Sequence, residues 1–216
     1  MSDFASDTVV TTACRSAQGL NCRFGLFMPH NFLARVQGVI TDSGWDGFLK
    51  DNLRGPVRQH HAFKVAVSGC PNGCARPHIA DVGIIRVCRP QVDVSLCSGC
   101  GRCAAACPDA AITMSEDIPQ FDRALCIDCG QCLMRCPEQA LFCDPEGFKV
   151  VMGGQLGRHP RLATQVGGIV DDKTALCMLA RAMEFYMQHY RNGLRFGALL
   201  RERQQELEAY VQHSCG

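Results

Sequence analysis

Apolar residues recur at helical spacing in four segments of the chain. The period is clear over 31–39, weaker over 45–53, and strong over 172–190 and 194–212. In the last segment one face collects leucine and aromatic residues, while arginine and glutamate collect on the opposite face. The pattern therefore predicts four helices and a helical C-terminal part.

Short runs rich in β-branched residues predict strands elsewhere. They lie at 63–68, 81–87 and 147–154, and two shorter runs at 110–114 and 140–143 each follow a Cys-Pro pair. Strands and helices together predict an α+β fold. Because 81–87 and 147–154 bracket the Cys-rich middle of the chain, we expect that middle to be inserted into a host sheet.

Composition narrows the class of protein. The 216 residues carry a formal net charge of +1, which gives no reason to expect nucleic-acid binding. No apolar run approaches the ~18 residues of a membrane span. The first residues also lack the basic and apolar regions of a secretory signal. With no sign of export, the 16 cysteines indicate metal ligation in a reducing cytoplasm rather than cross-links.

Eight of these cysteines form two copies of one spacing, C-x2-C-x2-C-x3-C-P, which binds cubic iron–sulfur clusters in bacterial ferredoxins. The fourth cysteine of each such run ligates the neighbouring cluster. We therefore expect one 4Fe-4S cluster on Cys97, Cys100, Cys103 and Cys136, and a second on Cys126, Cys129, Cys132 and Cys107. The alternatives are zinc, which prefers cysteine pairs with longer gaps, and disulfides, which need an oxidising compartment.

Two further cysteine pairs lie outside these copies. Cys70 and Cys74 form a C-x3-C motif after the strand 63–68, and the stretch VAVSGCPNGCARPHIADVG resembles the iron–sulfur and siroheme signature of the sulfite and nitrite reductases. The earlier stretch VVTTACRSAQGLNCRFGL is similar to the segment in which that family has a C-x5-C pair. Here seven residues separate Cys14 from Cys22, and the alternative interpretation is that both are small buried residues.

The resemblance covers nearly the whole chain and implies its architecture. A ferredoxin unit inserted after the C-x3-C strand is typical of dissimilatory-type sulfite reductases and of the C subunit of anaerobic sulfite reductase. We expect a sulfite-reductase-like α/β host domain, with a mixed sheet and helices, over 1–88 and 148–216. A bacterial ferredoxin-type domain with two 4Fe-4S clusters would occupy 89–147. The family's reductases carry two related halves, and this chain resembles only the second half.

The resemblance also implies cofactors. A third 4Fe-4S cluster would be held by Cys14, Cys22, Cys70 and Cys74, and Cys74 would bridge it to the iron of siroheme. Because siroheme carries carboxylates, its pocket should be basic. The candidate residues for that pocket are Arg15, Arg23, Arg54, Arg58, Lys64, Arg76, Arg158 and Arg161.

Substrate residues should lie near the strand that precedes the C-x3-C motif. Lys64 matches a family cation for sulfite, and Arg58 lies a few residues before it. His60 and His61 are candidates for proton donors near neutral pH. On general grounds such histidines are more often solvated loop residues.

We therefore expect an oxidoreductase of sulfite-reductase type. Its ferredoxin clusters would pass electrons to a 4Fe-4S–siroheme centre that reduces sulfite, or a similar small oxyanion, to sulfide. Its partners would be an electron-donor protein and either a second copy of the chain or a partner reductase subunit. The alternative, favoured by the thin set of cations, is a siroheme-free electron-transfer subunit serving a partner reductase. A redox-sensing module is a third possibility, with no DNA-binding motif behind it.

Four cysteines remain outside all these motifs. Their spacing suggests no partners, and we expect buried or incidental thiols at Cys88, Cys143, Cys177 and Cys215.

Overall fold

The computed structural model describes residues 2–5 and 8–215. In chain order its strands are β1 (Ser2–Ala5), β2 (Val9–Ala13), β3 (Phe63–Ser68), β4 (Val82–Val92), β5 (Ile112–Ser115), β6 (Ile118–Phe121), β7 (Leu141–Met152) and β8 (Thr164–Val170). Its α-helices are α1 (Phe32–Asp42), α2 (Trp45–Asn52), α3 (Arg102–Ala105), α4 (Asp172–Gln188) and α5 (Phe196–Cys215). Short 3-10 turns cover Pro77–Ile79 and Leu133–Arg135.

Six strands form the main sheet, in the spatial order β1-β2-β3-β4-β7-β8. The strands β2, β3 and β4 run parallel to one another, whereas β1, β7 and β8 are antiparallel to their neighbours. The helices α1 and α2 lie on the long connection between β2 and β3, as a parallel pair of strands requires. The predicted α+β class with a mixed sheet is confirmed.

All four predicted helices are present, and their apolar sides share one core with the sheet. Phe32 of α1 stacks on Phe148 of β7 with ring centroids 4.4 Å apart. Trp45 of α2 stacks on Tyr186 of α4 at 5.0 Å. The indole N–H of Trp45 donates to the Thr8 carbonyl at 2.9 Å, so this buried ring leaves no unpaired donor.

Strand positions alternate between two sides of the sheet. On β4, Ile84 faces the helical core, whereas Ile85 and Val87 pack with Val151 in a separate apolar cluster. On β2 and β3 the side away from the helices carries half-buried Thr12 and Lys64. At β2 and β3, the side of the sheet away from the helices is therefore polar, and we call it the polar side.

The two short predicted strands differ in their outcome. Residues 112–115 form β5, which pairs with β6 in a two-stranded sheet. Residues 141–143 belong to β7 instead, because β7 continues without a break from the end of the Cys-rich segment into the main sheet. The equivalent places after the two Cys-Pro pairs therefore have different partners.

The Cys-rich segment leaves the main sheet and returns to it at one place. The strands β4 and β7 pair antiparallel from Val82↔Met152 to Val92↔Leu141, and residues 93–140 connect their ends. The segment has a small core of its own, formed by Cys103, Ile112, Cys132 and Leu141. The division into domains 1–88 with 148–216 and 89–147 stays a prediction. Over the described residues, no helix has the length and apolar character needed to cross a membrane.

Candidate functional site

The structure divides the 16 cysteines of the chain into two sets. All twelve predicted cluster ligands are free thiols. The other four are paired in disulfides, Cys88 with Cys143 and Cys177 with Cys215. The expectation of four unpaired thiols is therefore wrong.

The reason lies in the tertiary structure, which spacing along the chain does not show. The antiparallel pairing of β4 with β7 places Pro90 opposite Cys143 and so brings Cys88 near Cys143. The packing of α4 against α5 brings together Cys177 and Cys215, which are 38 residues apart in sequence.

The second Cys-rich copy and the fourth cysteine of the first copy meet in one pocket. Its lining includes Cys107, Cys126, Cys129 and Cys132. The backbone N–H of Ala111 donates to Cys107 Sγ at 3.4 Å. This is the ligand set that the crossing of fourth cysteines requires.

Burial makes three of these four thiols poor anions without a metal. Desolvation, together with neighbouring Cys129 and Cys126, raises the pKa of Cys132 to about 12. Burial also raises the pKa of Cys126 and Cys129. A metal centre stabilises thiolates directly, so this donor set fits an iron–sulfur cluster better than free thiolates.

The cysteines of the other predicted cluster in this segment also lie near one another. Burial raises the pKa of Cys103, and Cys100 and Cys97 lie close enough to add to this effect. Cys136 packs at the edge of the small core that contains Cys103 and accepts a hydrogen bond from the Ala140 N–H at 3.2 Å. Such N–H···S bonds favour a negative sulfur.

Four host cysteines meet at one end of the main sheet. Cys14 follows β2 and Cys70 follows β3, and the two strands are parallel neighbours. The Gly69 N–H donates to Cys14 Sγ at 3.2 Å. Burial raises the pKa of Cys70, and Cys14, Cys22 and Cys74 are all near enough to raise it further. The seven-residue gap between Cys14 and Cys22 therefore does not keep them apart.

Ser16 explains how the longer loop is accommodated. Its buried hydroxyl donates to the Leu26 carbonyl at 3.3 Å. A Cβ atom at Gly25 or Gly69 would come within 2.2 and 2.4 Å of Ser16 Oγ. Two glycines thus leave room for Ser16 between the segments that carry Cys14, Cys22 and Cys70. Sequence reasoning did not find this role.

The described residues contain no group of three Cys, His, Asp or Glu side chains arranged for a single metal ion. A cubic cluster places its irons at separate corners, so its ligands need not converge on one point.

Among the predicted anion-binding residues, Lys64 and Arg76 lie in one pocket of about 280 Å³ on the polar side of the sheet, which Thr12 and Gln59 also line. Cys74, two residues before Arg76, is exposed, and Asn72 Nδ2 donates to its sulfur at 3.1 Å. An exposed cysteine next to a pocket with two cations suits an anionic cofactor that is ligated through sulfur.

Asp81 supports the strand that carries Lys64. Its buried carboxylate accepts the Lys64 backbone N–H at 2.8 Å. Burial raises the pKa of Asp81 to about 6, although that hydrogen bond and the charges of Arg195 and Lys64 act in the opposite direction. Sequence reasoning missed Asp81. Its signal was an acidic residue directly before the apolar start of β4, residues 82–85.

His60 and His61 lie on a loop before β3, with ring centroids 4.0 Å apart. His61 Nδ1 accepts the Arg58 backbone N–H at 3.1 Å. Partial burial, followed by the charges of His60 and Arg58, lowers the pKa of His61. Within the described residues, the lining of the Lys64 pocket includes Gln59 of this loop but not these three side chains.

Five other predicted arginines are not among the residues that line this pocket in the described part of the chain. Arg161 Nη2 donates to Gln204 Oε1 at 3.1 Å, and the Arg23 guanidinium lies over the Phe24 ring. The side chains of Arg15, Arg54 and Arg158 are exposed. The structure therefore brings together only part of the predicted cationic set.

Comparison with known proteins gives a family. The model described as "Nitrite and sulphite reductase 4Fe-4S domain" matches residues 51–204. A coenzyme F420-dependent sulfite reductase of Methanocaldococcus jannaschii is 43% identical over 149 residues, which cover 69% of this chain and 22% of the relative. The C subunit of the anaerobic sulfite reductase of Salmonella typhimurium is 42% identical over 50 residues, which cover 23% of this chain and 15% of that relative.

Among solved structures, dissimilatory sulfite reductase I superposes with a TM-score of 0.64 at 15% identity. The match covers 95% of this chain and 52% of that one, and it shows a shared fold. The chain therefore spans about a fifth of the first relative and half of the similar structure.

Proposed function

Because the chain belongs to the nitrite and sulphite reductase 4Fe-4S domain family, we propose that it is a redox component of sulfite-reductase type. Two ferredoxin-type clusters pass electrons to a 4Fe-4S–siroheme centre, where sulfite or a similar small oxyanion is reduced to sulfide. The observation that carries this proposal is the meeting of Cys14, Cys22, Cys70 and Cys74 at the carboxyl ends of β2 and β3.

Three cubic clusters account for the twelve free cysteines of the described chain. In the Cys-rich segment between β4 and β7, which we call the insert, each Cys-rich copy gives three ligands to one cluster and its fourth ligand to the other. The host cysteines would hold the third cluster. Backbone N–H groups of Gly69, Ala111 and Ala140 donate to three of the sulfurs, which stabilises them as thiolates and tunes the cluster potentials.

Cys74 is the residue through which this chain would ligate siroheme. When bound, siroheme supplies the iron at which the oxyanion is reduced. Lys64 and Arg76 would hold anionic groups on the polar side of the sheet, where Thr12 and Gln59 add hydrogen-bonding groups. A cation fixed beside an oxyanion stabilises negative charge throughout the reduction.

Few of the predicted cations line this pocket. Within the described residues, no predicted arginine other than Arg76 is among its lining residues. We propose that the polar side of the sheet is covered by a second copy of the chain or by a partner reductase subunit, either of which supplies further cations. An electron-donor protein supplies electrons to the insert, and we expect the complex to work in the cytoplasm.

The scattered cations also favour a second candidate, a siroheme-free protein that passes electrons to a partner reductase. The visible spectrum of protein purified without oxygen separates the two functions. Siroheme gives a strong Soret band and a band towards the red, whereas clusters alone give a broad shoulder. A shoulder alone, after expression together with natural partners, would leave only the electron-transfer function. Zinc in place of iron would exclude both functions.

A further inference from the structure

The two Cys-rich copies differ at one position that adopts an unusual backbone conformation. The residue between the first two cysteines and next to the second is Gly99 in one copy and Asp128 in the other. Both are left-handed, with φ of 68° and 61°. Glycine adopts this conformation freely, and aspartate adopts it more readily than most other residues with a side chain. The side chain of Asp128 makes contacts that glycine cannot make.

Those contacts are ion pairs with the main sheet. Asp128 Oδ2 lies 2.8 Å from Lys149 Nζ on β7 and 3.4 Å from Arg89 Nη2 on β4. The Asp128 side chain is 3% exposed and that of Lys149 is 20% exposed. Asp128 Oδ1 lies 3.8 Å from Cys126 Sγ. One carboxylate and two cations thus stand beside a proposed cluster ligand, with a formal sum of one positive charge.

The same loop is also the part of the insert that touches the host cysteine region. The Cys88 N–H donates to the Asp128 carbonyl at 2.8 Å. A Cβ atom on Gly130 would meet Cys88 Sγ at 3.1 Å and Leu26 Cδ2 at 3.3 Å. Leu26 in turn donates its N–H to the carbonyl of Gly69, the residue before Cys70.

The first copy packs differently. A Cβ atom on Gly99 would meet Asp117 Cβ at 2.6 Å, and Asp117 belongs to the turn between β5 and β6 within the insert. We call the cluster of Cys126, Cys129, Cys132 and Cys107 proximal, and that of Cys97, Cys100, Cys103 and Cys136 distal.

We propose that Arg89, Asp128 and Lys149 form a positioning triad that seats the proximal cluster on the host sheet and sets its reduction potential through the balance of their charges. This inference rests on the cluster ligation proposed above. Reduction adds one electron, and hence one negative charge, to a cluster without making or breaking a bond. The two cations favour the reduced form, whereas the Asp128 carboxylate, which lies nearer to Cys126, favours the oxidised form. Because the proximal loop contacts the host beside Leu26, electrons from the donor protein would leave the insert through the proximal cluster towards Cys70.

Two substitutions in the iron-loaded chain test the charge argument, because they should act in opposite directions. Asp128→Asn keeps an oxygen acceptor but leaves two cations, so the potential of one cluster should rise. Lys149→Met removes a cation, so the potential of the same cluster should fall. Redox titration followed by low-temperature magnetic resonance measures both, with the distal cluster as an internal reference. Lys50→Met, at an exposed position of α2, is the matched control and should shift the potential of neither cluster.

A purely structural role would shift both variants in the same direction or change cluster content alone, and either result would overturn the inference. If Asp128→Asn fails to fold, Asp128→Gly replaces it, because Gly99 shows that glycine suits this conformation. The glycine variant should also raise the potential. A wild-type chain without iron at Cys126 and its partners would instead refute the proposed function. Intact clusters with no opposite shifts would refute only the triad.

Discussion

A single methyl group at Gly69 should disrupt the proposed host cluster. Gly69 directly precedes Cys70, and its N–H donates to Cys14 Sγ. In Gly69→Ala the new Cβ atom would lie 2.4 Å from Ser16 Oγ, 2.6 Å from Ser16 Cβ and 3.1 Å from the Ala17 backbone N. Because Ser16 is buried, the loop that carries Cys14 must shift away from Cys70.

The size of the effect follows from these distances. Overpacking a buried site costs about 1–3 kcal/mol. Replacing a glycine whose φ is not left-handed returns about 0.4–1 kcal/mol through the unfolded chain. The net loss of stability should be on the order of 1–2 kcal/mol, which the fold can survive. The cluster is more sensitive because its ligands must meet fixed corners, so iron and sulfide should fall by about a third, one cluster of three.

Iron and acid-labile sulfide analysis, with low-temperature magnetic resonance, measures this loss and should show the two insert clusters unchanged. The double variant Ser16→Gly/Gly69→Ala removes both side-chain atoms that clash and should restore most of the third cluster. Gly38→Ala on α1, where nothing lies within 4 Å of the new Cβ atom, is the matched control. Full iron content in Gly69→Ala, or loss without recovery in the double variant, would refute the reasoning.

Three further substitutions test the host site. Cys74→Ser should lose the host cluster and siroheme together, because a hydroxyl ligates soft iron poorly; retention of both in the visible spectrum would contradict the bridge. Lys64→Ala should keep both cofactors but weaken sulfite turnover by about 2–4 kcal/mol of transition-state stabilisation, and unchanged kcat/KM would reject this assignment. Burial raises the pKa of Asp81 to about 6, so its contribution to stability is present below the ordinary aspartate pKa and is lost as pH rises through 6. Relative to wild type, Asp81→Asn should therefore gain roughly 2–3 kcal/mol between about pH 4 and pH 7 in urea unfolding, and a constant difference would contradict the burial argument.

The sequence predicted those parts of the fold that have a strong local period. The helices α1, α2, α4 and α5 and the strand β3 were predicted close to their observed bounds. The strands β1, β2, β6 and β8 were not predicted. The edge strand β8 has two adjacent glycines, which weaken any strand pattern, and it gains order by pairing with β7. Pairing of this kind depends on a neighbour distant in sequence.

The candidate site shows the same limit more sharply. Spacing was enough to single out the eight predicted ligands of the two Cys-rich copies, because a short loop fixes which sulfurs face one cluster. The other four, Cys14, Cys22, Cys70 and Cys74, were found through the family resemblance. Cys88 and Cys143 could not be paired in this way, since only the register of β4 with β7 brings them together. In the sequence, Asp128 cannot be told from an ordinary loop residue, because only the fold places Lys149 and Arg89 beside it. Spacing along the chain cannot predict a charge that comes from another strand, and in the proposed triad such charges act on the proximal cluster.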